Sequence, residues 1–115
     1  MATPFTISHP LGRVPTFTEI RTLAQEFEIQ ISGNDQAGAV SHPKANGTYT
    51  FENKGGLRGD FTAVVLGKIT GVFVLMTGKA EITITDKPYL LPVALLKSKL
   101  LQGLEAFCTR FPPAA

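Results

Sequence analysis

Cysteine is nearly absent from this chain: Cys108 is the one example in 115 residues. An internal disulfide needs two cysteines and the multi-cysteine zinc patterns need more, so both classes are excluded. Charge is sparse as well, at 17% of residues with a net of +2. The eleven Lys and Arg are scattered and build none of the clustered basic surface that nucleic acid requires. No apolar run approaches the roughly 20 residues of a membrane-spanning helix. The opening Met1-Ala2-Thr3-Pro4 lacks the charged start and apolar stretch of a secretory leader. The expectation is a soluble, cytoplasmic protein without a transmembrane segment.

Apolar residues, by contrast, make up 43% of the chain, enough for a packed core. The length suits a single domain over 1–115. Phe5 to Ser8 reads as a short strand stopped at His9-Pro10. Phe17, Ile20, Leu23, Ala24 and Phe27 recur at helical spacing, and Thr16 three positions before Glu19 matches a capping box. Ile29 and Ile31 alternate with polar neighbours in a half-buried strand. Residues 33–47 are rich in Gly, Asn, Asp, Ser and Pro and read as a long connection, a natural place for an insertion.

Strands then follow in quick succession. Tyr49 and Phe51 share one face of the first, and Asn53-Lys54-Gly55-Gly56 reads as a turn. Leu57 to Leu66 and Ile69 to Met76 flank Gly67-Lys68, which suits a type II′ turn, and Thr77-Gly78 marks a further hairpin into Ala80 to Thr85. The last element is a helix starting near Leu91-Pro92, with Val93, Leu96, Leu100, Leu104 and Phe107 as its stripe. Gly103 interrupts it, which suggests close packing, and Cys108 reads as a core residue rather than a reactive thiol. The predicted class is α+β: a mostly antiparallel sheet of five to six strands with two helices on one face, in the order β-α-β-β-β-β-β-α. Helix-grip and TATA-binding-protein-like architectures share this plan.

A two-residue turn at Thr77-Gly78 pairs Leu75 with Ala80 and Phe73 with Ile82, which assigns Ile69, Gly71, Phe73, Leu75, Ala80, Ile82 and Ile84 to the core. Val72, Val74 and Met76 then fall on the other face. The preceding strand adds Phe61 to that face if its turn has two residues, or Val64 if it has three. A solvated antiparallel face should read polar. The apolar set Phe61, Val64, Val72, Val74 and Met76 is therefore the candidate interaction surface, to be covered by a second copy, by an apolar ligand or surface, or by the 33–47 loop.

Chemistry-bearing motifs are weak. His9 and His42 sit in repeated Ser-His-Pro triplets with no carboxylate pattern beside them, and turn residues next to proline is the simpler reading. Arg58-Gly59-Asp60 falls within a strand, where an ion pair is expected rather than an adhesion signal; Asn46-Gly47-Thr48 matches a glycosylation sequon without the secretion to use it. The carboxylates are dispersed. The glycines lie in or between strands, so they shape turns and sheet curvature instead of cradling phosphate. No catalytic residue, cofactor or metal is expected.

The C-terminal half resembles a small bacterial family of polyhydroxyalkanoic acid system proteins, encoded in polyhydroxyalkanoate gene regions. The likeness rests on Phe51-Glu52-Asn53, Gly67 to Gly71, the alternating Ala80 to Asp86, and Lys87-Pro88-Tyr89-Leu90-Leu91-Pro92 leading into Lys97-Ser98-Lys99. It spans roughly residues 49–107, with a fainter echo at His9-Pro10-Leu11-Gly12. The resemblance implies a cytoplasmic accessory protein linked to storage granules, with no catalytic residues to transfer. The leading expectation is a non-enzymatic binding or accessory module working through its apolar sheet face, as a homodimer or against a granule surface. The alternative is a helix-grip-like carrier holding a small apolar ligand between the sheet and the final helix. An enzyme using His9 or His42 is the third.

Overall fold

The first and last strands of the chain lie side by side, and that pairing organises the molecule. The computed structural model describes residues 4–52, 56–64 and 67–112. Its elements are β1 (Phe5–His9), α1 (Phe17–Glu26), β2 (Gln30–Gly33), β3 (Ala37–His42), β4 (Ala45–Phe51), β5 (Leu57–Val64), β6 (Lys68–Met76), β7 (Lys79–Asp86) and α2 (Val93–Cys108). The strands form one antiparallel sheet of seven in the order β1-β7-β6-β5-β4-β3-β2. The α+β class and the order of elements agree with the sequence reading. The strand count is higher by one or two.

The additional strand is β3, which lies inside the segment read as a connection. Its Gly38, Ala39 and Ser41 have little intrinsic strand preference. Pairing on both flanks overrides that: Val40 sits opposite Ile31 of β2 and Gly47 of β4. The turn before it is closed by Asn34, whose Oδ1 accepts the backbone N–H groups of Gln36 and Ala37. Of the predicted turn Asn53-Lys54-Gly55-Gly56, the first three residues lie outside the described residues.

α1 starts where the capping box places it. Thr16 Oγ1 accepts the N–H of Glu19, and Glu19 Oε1 accepts the N–H of Thr16 at 3.0 Å. Arg13 reaches over with both terminal nitrogens, at 2.6 and 2.5 Å from the two Glu19 oxygens, while its guanidinium lies 5.5 Å from the centre of the Phe111 ring. The start of α1 is thereby tied to the end of the chain. α2 begins after Pro92 and packs its buried Leu96, Leu104 and Cys108 on the sheet. Each fully buried leucine is worth roughly 1.5–3 kcal/mol relative to exposure. Burial also pushes the Cys108 thiol up, as suits a core residue.

The Thr77-Gly78 hairpin has the expected register, Leu75 to Ala80 and Phe73 to Ile82. The β5–β6 turn does not follow the type II′ expectation: Val64 pairs with Lys68, so three residues, 65–67, make the connection. That register decides the faces. Phe61 stands opposite Gly71 on the inner side with Leu57, Gly59 and Ala63, and the outer-face placement considered for Phe61 is corrected.

Candidate functional site

Across the inner face, aromatic residues and glycines oppose each other strand after strand. Tyr49 lies between Gly38 and Gly59, and Phe61 between Gly47 and Gly71. Phe73 faces Gly59 from the other side. The rings occupy the space that the missing side chains leave. A Cβ at Gly59 would stand 2.8 Å from Phe73 Cζ, and one at Gly71 would stand 2.7 Å from Phe61 Cζ. Large and small residues alternate in both directions, so the rings tilt over neighbouring strands instead of standing toward the helices. The glycines read from the sequence as shaping turns and curvature here make room for rings on the neighbouring strands.

Between this face and the two helices is an open cleft of about 450 Å³. Ile20, Leu23, Ala24 and Phe27 line it from α1; Leu100, Gly103, Leu104 and Phe107 line it from α2. The sheet supplies Val40, Tyr49, Leu57, Phe61, Phe73, Leu75 and Ile82. Its wall is almost wholly apolar. That volume falls in the range of small-molecule sites, which are commonly apolar clefts of roughly 300–1,000 Å³. Phe27, at the end of α1, lines the cavity yet is 59% exposed, so the cavity opens beside it.

Gly103 is the residue whose role differs most from expectation. Nothing lies within 4 Å of where its Cβ would be. It shares a helix face with Leu100 and Phe107, three residues before it and four after, and all three line the cavity. Gly103 is exposed, and no other element among the described residues packs against it, so close backbone packing is not its role. Lys99, one turn earlier on the same helix, also lines the cavity.

Few polar groups reach this region. The buried Tyr49 hydroxyl turns toward the β2–β3 connection, donating to the carbonyls of Asn34 at 3.0 Å and Ser32 at 3.4 Å, and burial pushes its phenol up. His9 Nε2 lies 3.9 Å from Glu105 Oε2, and His42 Nδ1 accepts the Lys44 N–H at 3.2 Å. Neither histidine lines the cavity. Among the described residues no group of three His, Cys, Asp or Glu is placed to hold a metal. Arg58 pairs with Glu52 at 3.5 Å, and Asp60 accepts from Thr48 Oγ1 at 2.9 Å, which leaves the Arg-Gly-Asp triplet with strand-surface roles.

The candidate interaction residues separate. Val64, Val72, Val74 and Met76 share the outer face, with Val64, Val72 and Met76 exposed, while Phe61 lines the cavity. The outer apolar stripe is narrow. Val72 is flanked by Asp60 and Thr83, and Val74 by Arg58 and Glu81. Further along, threonines bond across strands, Thr6 to Thr83 at 2.8 Å and Thr70 to Thr85 at 3.1 Å. The 33–47 segment does not fold back over this face, because Ala37–His42 is itself a strand of the sheet.

Sequence reasoning placed the helix residues of the cavity in the core without separating those that touch sheet from those that face space. Gly103 within an apolar helix stripe was the available signal. Comparison of the chain with family models, with curated proteins and with solved structures finds no match. No helix among the described residues is long and apolar enough to cross a membrane.

Proposed function

We propose that the protein is a non-enzymatic binding module of helix-grip-like design, a carrier that holds a small apolar ligand between the sheet and its two helices. The observation that carries this reading is the apolar cavity of about 450 Å³ behind α1 and α2. Shape and lining agree: a concave wall of aliphatic and aromatic side chains removes apolar ligand surface from water, worth about 25 cal/mol per Å². Phe27, exposed at the opening, adds an aromatic side chain to the lining. Titration with a neutral apolar fluorophore such as N-phenyl-naphthylamine tests the reading. Saturable one-to-one enhancement is expected; a linear, non-saturating signal rejects the carrier.

A second reading, self-association through the outer face, draws on the exposed Val64, Val72 and Met76. Replacing Val72 and Val74 with Lys decides it by solution mass. A dimer that becomes a monomer supports this interface, and an unchanged mass removes it. Association with polyester storage granules rests on the family resemblance and would use the same exposed stripe.

A further inference from the structure

Among the described residues, the two most exposed large apolar side chains are adjacent and lie away from the cavity. Tyr89 is 95% exposed and Leu90 83%, in the connection from β7 to α2. Pro88 and Pro92 bracket them, and Lys87 Nζ donates to the carbonyls of Pro88 at 3.2 Å and Leu91 at 2.7 Å. The buried Leu91 anchors the segment in the core. Such a loop holds its shape while presenting two adjacent apolar side chains to water.

Two further turns lie beside this loop at the same end of the sheet. A Cβ at Gly67 would stand 2.7 Å from Pro88 Cγ, which places the β5–β6 turn against it. Val64, 55% exposed, begins that turn, and its N–H donates to the Lys44 carbonyl in the β3–β4 turn at 2.8 Å. Leu95, in the first turn of α2, is exposed as well. Over residues 42–45, 64, 67–68 and 86–92 the charged residues are Lys44, Lys68, Lys87 and Asp86, a net positive tip. The carboxylate of Asp86 is engaged by the N–H of Lys87 at 3.0 Å.

We infer that this tip docks on an anionic lipid surface. A tyrosine with an adjacent leucine and lysines on the neighbouring turns is the combination that interfacial binding uses: the leucine enters the acyl boundary, the tyrosine sits at headgroup level, and Lys44 and Lys68 meet lipid phosphate, while Lys87 holds the loop. Shape favours this occupant over a second protein chain. One tyrosine, which buries roughly 150–250 Å², and the leucine beside it fall short of the ~800 Å² per partner of a stable protein interface. A deformable bilayer accepts a convex tip. The inference stands independently of the cavity and its ligand.

Co-sedimentation with vesicles tests it, using phosphatidylcholine alone and phosphatidylcholine mixed with phosphatidylglycerol. The wild-type chain is expected to sediment with the anionic vesicles, to be released as salt screens the lysines, and to remain in solution with phosphatidylcholine alone. The double variant Tyr89→Ser, Leu90→Ser should lose most of the bound fraction, several-fold or more, with its circular dichroism unchanged. Lys68→Glu should weaken binding and flatten its salt dependence. Absence of wild-type binding at low salt overturns the inference. Equal binding by the double variant does the same, as does a wild-type oligomer that the double variant dissociates, because the tip would then seat another copy.

Discussion

The Phe61 ring occupies the space that a side chain at position 71 would fill: a Cβ on Gly71 would stand 2.7 Å from Phe61 Cζ and 2.6 Å from the Thr83 carbonyl oxygen. One contact is a ring able to rotate and the other is backbone of the neighbouring strand, which is not free to retreat. Gly71→Val should therefore destabilise the fold by about 1–3 kcal/mol through overpacking. It should also drive the Phe61 ring toward the cavity. Urea denaturation reads the first effect and fluorophore titration the second. Gly78→Ala, at the β6–β7 turn, is a useful contrast because nothing surrounds its Cβ and its cost comes from positive φ alone.

Tyr49 links the inner face to the β2–β3 hairpin through its hydroxyl. Tyr49→Phe keeps the ring between Gly38 and Gly59 and removes the donor to the Asn34 carbonyl. A loss of roughly 1 kcal/mol is expected. Amides of β2 and β3 should exchange faster while those of β6 and β7 change little, which hydrogen exchange measures directly.

The Arg13 guanidinium, aided by the Thr16 N–H, holds the Glu19 carboxyl at about 2, against an ordinary value of 4.5. The folded state thus binds this proton more weakly than the unfolded state. The stabilisation is complete above the ordinary carboxylate range and is lost as pH falls toward 2. Wild-type stability should decline over that interval, and Glu19→Gln should flatten the decline. Gln at this position can still close the capping box, so what the variant removes at neutral pH is the charge pair with Arg13.

Much of the scaffold was legible because local signals and tertiary packing agree. The Thr16–Glu19 box starts α1, the apolar stripe of α2 faces the sheet, and the Thr77-Gly78 hairpin sets its register. The core assigned from that hairpin contains Ile69, Leu75, Ala80 and Ile84, all buried. β3 was not legible because its strand character comes from partners on both sides and not from its own side chains. The face of Phe61 hung on the length of one turn, a single residue that inverts every side chain in the strand. The cavity was hidden for a related reason. Apolar periodicity marks which residues turn away from water but does not distinguish a wall that touches its neighbours from one that borders space.

The most direct test of the apolar carrier is Gly103→Leu. Gly103 is exposed at the mouth of the cleft, nothing outside its own helix lies within 4 Å of its Cβ, and a leucine there is expected to narrow the opening beside Leu100 and Phe107. Replacing a helix glycine adds up to about 1 kcal/mol of helix preference, so the variant should be as stable as the wild type or more so. Titrated in parallel with N-phenyl-naphthylamine, the wild type should saturate at one site and Gly103→Leu should bind at least tenfold more weakly. A folded, stable Gly103→Leu protein that binds the fluorophore as tightly as the wild type would contradict the account.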